Sequence, residues 1–392
     1  MYRKIRLDIN STSLIMADLE KLERVKILCN PASGNKIEDI VKNLSGVVSS
    51  HNGKYLWMGT DEFQTIERFT RLENNSGIFG EHKWFKFQDF IDGFDEGNGE
   101  VDIEGLDYDN GYLWVIGSHS GKRKKVQIEA HKFSVEGKEL KQVEREENRY
   151  LLARIPVNEA GDLEISSSQR AWLKRDGRSN SLIEALATDE YLDLAQIIES
   201  DDRDNLPGKE FYFYLPSKEN GFDIEGLAVR GNKIVIGLRG PVLRGIAILL
   251  EIEVEEGSSH ELNLKTIGND SRKYKRHFLD LNGLGIRELC WKKNGKSLLI
   301  LAGPTMALDG RHSLFRLDDP FTLADNSLSS QNNGQLKYLG DIPHGELQDR
   351  AEGLTLYEGG KSILVVYDSP AKKRLIFNND VTIGVRADVF SL

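Results

Sequence analysis

DIEGLAVRGNKIVIGLRGP, residues 223–241, holds a short apolar strand pattern, a Gly-Asn turn and a longer apolar strand pattern, with two acids at its start and an arginine near its end. One such unit reads as a β-hairpin, and the chain contains five. The others are LSGVVSSHNGKYLWMGTDE from Leu44, DIEGLDYDNGYLWVIGSHS from Asp102, GIRELCWKKNGKSLLILAGP from Gly285 and RAEGLTLYEGGKSILVVYDSP from Arg350. Their turns are Asn52-Gly53, Asn110-Gly111, Gly231-Asn232, Asn294-Gly295 and Gly359-Gly360, all residues that tolerate the positive φ of two-residue hairpin turns. A third strand pattern follows in most units, as in TIERFT, RYLLARIPV, GIAILLEIEV and HSLFRLDD. A fourth, often aromatic, precedes the next unit: WFKFQDF, FYFYLP, YKRHFLDL and LKYLGDI.

Four antiparallel strands recurring roughly every sixty residues predict an all-β chain, a β-propeller with five detectable four-stranded blades. The interval doubles between Glu104 and Glu225, so a degenerate sixth blade is the alternative. An insertion within the second blade, residues 158–220, is the preferred reading, because SNSLIEALATDEYLDLAQIIES has helical spacing. Leu182, Ile183, Leu186, Leu192, Ala195 and Ile198 form its apolar stripe, and Ser181 with Glu184 fits a capping box. Such a helix is either a flap on the propeller's side or a lid over a site. VRADVFSL at the C-terminus resembles a third strand and RVKILCNPA, from Arg24, a fourth. The N-terminal segment, residues 1–43, is therefore expected to supply the strand that closes the last blade of a single domain, residues 1–392.

A length of 392 residues is too great for one ordinary core, which suits a repetitive ring. Hydrophobic content of 39% and charged content of 29% are ordinary for a globular chain, and no apolar run is long enough to span a bilayer. Acids interrupt the N-terminal apolar segment, which argues against a signal peptide and makes the cytoplasm the expected location. Cys29 and Cys290 lie far apart in apolar runs and read as packing thiols. The formal charge of −10 argues against nucleic acid as a partner, and the basic cluster at Lys122–Lys125 reads as a solvated loop.

In a propeller the start of each innermost strand and the loop between the second and third strands share one face of the disc. The starts supply Asp102 and Glu104, Asp223 and Glu225, Arg287 with Glu288, and Asp349 with Glu352. The loops supply Asp61, Ser118-His119-Ser120, Arg239 and Arg244, Asp309, and Asp368 with Ser369. Gapless alignment places Ser45 and Arg287 where the other units carry glutamate, so one cation faces three carboxylates. Converging carboxylates must be protonated, paired with arginine or neutralised by a cation.

This acidic face admits three readings. In the first, Glu104, Glu225 and Glu352, aided by Asp102 and Asp223, ligate calcium, or manganese or magnesium, for hydrolysis of a small anionic ester, lactone or phosphoester. Arg239, Arg244 and Arg287 would grip the anionic group and His119 would shuttle a proton. In the second, the ring holds a small anionic ligand or a protein partner without chemistry, as a sensor or interaction module. In the third, the glutamates accept backbone N–H groups and Arg287 neutralises them. A nucleotide loop is excluded because GLRGPVLRG lacks a strand–loop–helix setting, and the adjacent Ser118 and His119 make a poor hydrolase pair.

The stretches NGFDIEGLAVRGNKIVIGLRGPVLRG, EVDIEGLDYDNGYLWVIGSHSGKRKK, NRYLLARIPV and DRAEGLTLYEGGKSILVVYDSP resemble an uncharacterised bacterial family, the domain of unknown function numbered 3616. The resemblance runs from about Asn43 onward and implies a propeller-like domain. More distantly, the Glu-Gly pair opening an inner strand is similar to that of esterase-like phytase and of gluconolactonase and regucalcin-like propellers, where such a glutamate binds metal. That likeness implies a metal role for Glu104, Glu225 and Glu352 only, and three copies plus Arg287 depart from a single-metal pattern.

Overall fold

The structure is a computed structural model that describes residues 18–30, 37–72, 77–123, 143–192, 194, 215–306, 308–345 and 348–392. From the innermost strand outward, the first blade is Leu44–Ser50, Tyr55–Thr60, Thr65–Arg71 and Ile78–Lys86. The second is Ile103–Asp109, Tyr112–Gly117, Leu152–Pro156 and Ala171–Leu173. The third is Asp223–Arg230, Lys233–Gly240, Ala247–Glu256 and Lys275–Leu279. The fourth is Gly285–Trp291, Ser297–Gly303, His312–Asp318 and Leu336–Ile342. The fifth is Arg350–Tyr357, Ser362–Asp368 and Val381–Ser391, with Lys21–Leu28 paired antiparallel on its outer edge.

The innermost strands touch in a closed cycle, first to second through fifth and back to first. A cycle of five leaves no position for a sixth innermost strand, so the propeller has five blades among the described residues. Each neighbouring pair of blades encloses its own apolar core. Alternation along one strand shows how: Leu298 and Ile300 pack toward the third blade, while Leu299 and Leu301 pack toward the fifth. Successive side chains point to opposite faces. A strand buried on both faces therefore reads as an uninterrupted apolar run, and SLLILA is one.

Two of the five hairpins have the two-residue turns expected: Asn110-Gly111 links paired Asp109 and Tyr112, and Gly231-Asn232 links paired Arg230 and Lys233. Asn110 and Gly111 both hold positive φ, 50° and 85°. The other three connections are longer, four residues between paired Ser50 and Tyr55 and between Tyr357 and Ser362, and six between Trp291 and Leu298, each placing its glycine inside a longer turn.

Outer strands tie blades together. Lys26 pairs in parallel with Ile78, Trp172 with Glu261, and His277 with Ser327, so three sheet edges are covered rather than open. The outermost described strand of the second blade is the short Ala171–Leu173; of the expected FYFYLP, Phe211–Tyr214 lie outside the described residues.

The helix Ser181–Leu186 buries Leu182, Ile183 and Leu186 in the core between the second and third blades. Its N-cap is Asn180, one residue before the expected Ser181: Asn180 Oδ1 accepts from the amides of Leu182 and Ile183. None of its residues lines the axial cavity, so its described part packs as a flap. Ala195 and Ile198 of the expected stripe lie outside the described residues, as do Lys124 and Lys125 of the basic cluster. Cys29 and Cys290 are free thiols. Among the described residues no helix is long and apolar enough to cross a membrane.

Candidate functional site

Every innermost strand carries a β-bulge near its start. Pairing skips from Ile103 to Gly105, from Ile224 to Gly226, from Ile286 to Glu288 and from Ala351 to Gly353. The residues left out are Glu104, Glu225, Arg287 and Glu352, and a bulge in the first blade spans Ser45. A bulge re-aims its extra residue. Here it delivers all five side chains to the wall of one axial cavity of about 410 Å³.

The glycine after each glutamate is required by the crowding at the axis. A Cβ on Gly105 would lie 2.7 Å from Leu227 Cβ, and one on Gly353 would lie 2.7 Å from the Ser45 carbonyl. In the fourth blade Glu288 takes that place, fully buried, with Oε1 accepting from the Leu289 amide. Burial drives the Glu288 carboxyl well above the usual range.

Three of the five axial positions neutralise one another. Arg287 Nε donates to Glu352 Oε2 at 2.7 Å and lies 2.9 Å from Glu225 Oε2, while its Nη2 takes Glu352 Oε1. Arg239 Nη1 donates to Glu225 Oε1 at 2.6 Å and lies 3.5 Å from Asp223 Oδ2. Both oxygens of Glu225 and of Glu352 thus face guanidiniums. Burial pushes Glu225 up to about 8 against the pull of Arg239 and Arg287. For Glu352 burial is outweighed by the charge and hydrogen bonds of Arg287, and its carboxyl falls below the usual value.

Glu104 is different. It makes no ion pair or hydrogen bond with any described residue, and burial followed by the charges of Glu225, Asp102, Asp223 and Glu352 drives its carboxyl well above the ordinary range. Burial also lifts Asp223 to about 6. Asp102 is held by Arg149 Nη1, whose guanidinium also reaches Glu100 at 3.2 Å and Glu146 at 2.9 Å.

The structure thus gathers seven of the nine candidate residues: Asp102, Glu104, Asp223, Glu225, Arg239, Arg287 and Glu352 all line the cavity. His119 and Arg244 do not. His119, with φ 53°, turns its ring into the core, where Nδ1 meets the Gly117 carbonyl at 2.8 Å and Nε2 meets Asn180 Nδ2 at 2.7 Å. Burial lowers its pKa to about 4, which leaves a neutral ring with both nitrogens engaged. Arg244 sits exposed on its loop. Asp349 is also drawn away, accepting from Arg374 Nε at 2.7 Å and the Ala371 amide at 2.8 Å.

Sequence reasoning missed Arg149 and His312. Both stand at or just before the start of a third strand, which begins on the same face as the first because the blade is antiparallel. Burial and then the charge of Arg287 hold His312 near a pKa of about 3, so it is a neutral wall residue. The signal was available: the residues flanking each third-strand start belong with the two sets already considered.

The chain is similar to several solved structures at low identity. A luciferin-regenerating enzyme is 9% identical with a TM-score of 0.34, covering 94% of this chain and 96% of its own. A putative 6-phosphogluconolactonase from Bacteroides uniformis is 10% identical with a TM-score of 0.33, covering 93% and 74%. The β-propeller domain of Myceliophteria thermophila Cps50 (Swd1) is 8% identical with a TM-score of 0.33, covering 89% and 84%. No curated protein matches the chain. With its repeats, ring and axial glutamates on view, the chain belongs to the family described as Protein of unknown function (DUF3616), whose model matches residues 43–384.

Proposed function

We propose that this chain is a ligand-binding propeller whose axial cavity takes a small polar molecule without a resident metal ion. One observation carries the reading. Apart from Glu225 Oε2, which lies 2.9 Å from Arg287 Nε, the buried atoms of cavity-lining residues that lack a hydrogen-bond partner among the described residues are Ser45 Oγ, Asp61 Oδ1, Asp223 Oδ1, His312 Nδ1 and Arg350 Nε. Buried polar atoms are nearly always matched. Five unmatched on one wall suit recognition better than folding alone. A cavity of about 410 Å³ also falls within the roughly 300–1,000 Å³ typical of small-molecule sites.

The residues do not fit calcium, manganese or magnesium as a resident ion. Such ions need several free oxygen donors converging at about 2.0–2.6 Å. Two of the three glutamates give both oxygens to guanidiniums, which would also repel a dication. Among the described residues no group of three or more His, Cys, Asp and Glu is arranged to hold one.

Hydrolysis of an ester, lactone or phosphoester is the second reading, and Glu104 favours it. A carboxyl driven well above its ordinary range by burial and by neighbouring acids, and facing a cavity, suits donation of a proton to a leaving group.

Thermal-shift measurements with a panel of amines, amino acids, sugar acids and nucleosides test the binding reading. A shift in wild type that is lost in Ser45→Val and Asp223→Asn is expected, and no shift with any member refutes it. Hydrolysis of an aryl ester, a lactone or an aryl phosphate that disappears in Glu104→Gln would establish the second reading.

A further inference from the structure

We infer that the ligand of the axial cavity carries a primary ammonium group on an apolar body, the ammonium lying beside Ser45, Asp61, Glu104 and Asp223 and the body under Met306 and Leu308. This rests on the cavity being a ligand site.

The ring divides into two sides. Glu225, Arg287 and Glu352 satisfy one another, which leaves Ser45 and Glu104 as the two axial positions facing no cation at ion-pair distance among the described residues. Ser45 is 7% exposed and Asp223 2% exposed, yet among the described residues Ser45 Oγ and Asp223 Oδ1 have no hydrogen-bond partner, and Asp61 Oδ1 of the same cavity wall is unmatched as well. The unmatched atoms on this side are acceptors, with one hydroxyl able to serve as such. An ammonium brings three donors and one positive charge.

An anion would find the opposite. The buried cations near it are already committed: Arg149 to Asp102, Glu100 and Glu146, Arg239 to Glu225, and Arg287 to two glutamates, with the half-buried Lys122 on Glu100; Lys218, whose charge acts on Asp61, is the cation of the wall with no ion pair among the described residues. Binding an anion there breaks a buried pair, whereas binding an ammonium adds one. Acids also outnumber Lys and Arg on the cavity wall by twelve to seven.

The mouth differs from the floor. Met306 and Leu308 line the cavity while 44% and 60% exposed, with Pro216 and Pro304 near them on the wall. Large apolar side chains open to solvent at the edge of a charged cavity give an apolar body somewhere to lie.

A proton makes the inference measurable. Glu104 faces Glu225 and Asp223 of the third blade, Asp102 of its own, Glu352 of the fifth and Arg287 of the fourth, and the acids prevail. A bound ammonium favours the carboxylate form, so it draws the Glu104 carboxyl back down, and binding is coupled to proton release wherever the free site holds that proton.

The test is isothermal titration calorimetry on the full chain at pH 7.5 with hexylammonium, hexanoate, hexanol and calcium chloride. Hexylammonium is expected to bind at least tenfold tighter than hexanoate or hexanol, with an apparent enthalpy that tracks the buffer's ionisation enthalpy in the sense of proton release. Glu104→Gln should cost at least tenfold and abolish the buffer dependence; if that variant fails to fold, Ser45→Val should still weaken hexylammonium selectively. Met306→Ser with Leu308→Ser should erase the preference for hexylammonium over methylammonium. Tighter hexanoate, displacement of hexylammonium by calcium, or unchanged affinity in Glu104→Gln overturns the ammonium assignment and leaves the cavity a ligand site. Absence of heat with all four probes, together with no thermal shift across the wider panel, overturns both.

Discussion

Replacing Arg287 with methionine keeps the length of the side chain and removes the charge that joins three blades at the axis. Glu225 and Glu352 then face each other without the guanidinium that lies 2.9 Å and 2.7 Å from them. Breaking a buried pair from one side costs about 3–5 kcal/mol, unless the orphaned acids take up protons. Glu104 illustrates the effect of having no guanidinium at hand: a carboxyl in the same ring is driven well above the usual range. Glu352, now below it, should move the same way. The folded state would then hold a proton that the unfolded chain, with a glutamate near 4.3, gives up. Stability lost this way grows with pH by about 1.4 kcal/mol per unit above that value. For a carboxyl that stays protonated in the folded variant, the loss rises from about 1 kcal/mol at pH 5.0 to at most about 4 kcal/mol at pH 7.5. Equilibrium urea unfolding followed by tryptophan fluorescence, wild type against Arg287→Met at both pH values, measures the difference. A destabilisation equal at pH 5.0 and 7.5 would refute the reasoning, because it would mean that the arginine supports packing and not charge.

Gly105→Ala should destabilise by about 1–3 kcal/mol, since its Cβ would meet Leu227 Cβ at 2.7 Å and the Leu227 amide nitrogen at 3.0 Å. An unchanged urea midpoint would show that the bulge can shift aside. Asn180→Ala should cost about 1–2 kcal/mol through loss of the cap on Ser181–Leu186, read from the same unfolding curves. His119, with a folded pKa of about 4 against about 6.5 in the unfolded chain, takes up a proton more readily when unfolded, so wild-type stability should fall as pH drops through that window. His119→Gln should flatten that limb of the stability–pH profile, and an unaltered limb would mean that other groups cause it.

The five hairpins were legible because a blade buries both faces of its inner strands, which prints long apolar runs, and because the turns between them favour Asn and Gly. The second blade was less legible at its edge. Ala171–Leu173 is three residues long, too short to carry an alternating pattern, and FYFYLP was the more strand-like text. The helix cap was placed one residue late for a related reason. Ser181 with Glu184 matches the local signature, but Asn180 is fixed from outside the helix, its Nδ2 meeting His119 Nε2 at 2.7 Å and the Tyr150 carbonyl at 3.0 Å. Neither partner is near it in sequence.

The site was legible to the level of which residues share a face and no further. Repeat alignment put Glu104, Glu225, Arg287 and Glu352 at one position, and the bulge explains why that position points to the axis. Alignment cannot say who pairs with whom, since that depends on how far each guanidinium reaches across a blade boundary. Arg287 reaches both neighbours and Arg239 folds back on its own blade's Glu225. That assignment changes the chemistry. Three equivalent glutamates suggest a symmetric cage, but two of them are paired with guanidiniums, while Glu104 has no ion pair among the described residues and its carboxyl is driven well above the ordinary range by burial and then by neighbouring acids. The asymmetry of the ring, one arginine and one serine among three glutamates, is therefore what gives the cavity a direction: a neutralised side at Glu225, Arg287 and Glu352 and an acceptor side at Ser45 and Glu104, with Asp61 and Asp223 supplying further unmatched oxygens.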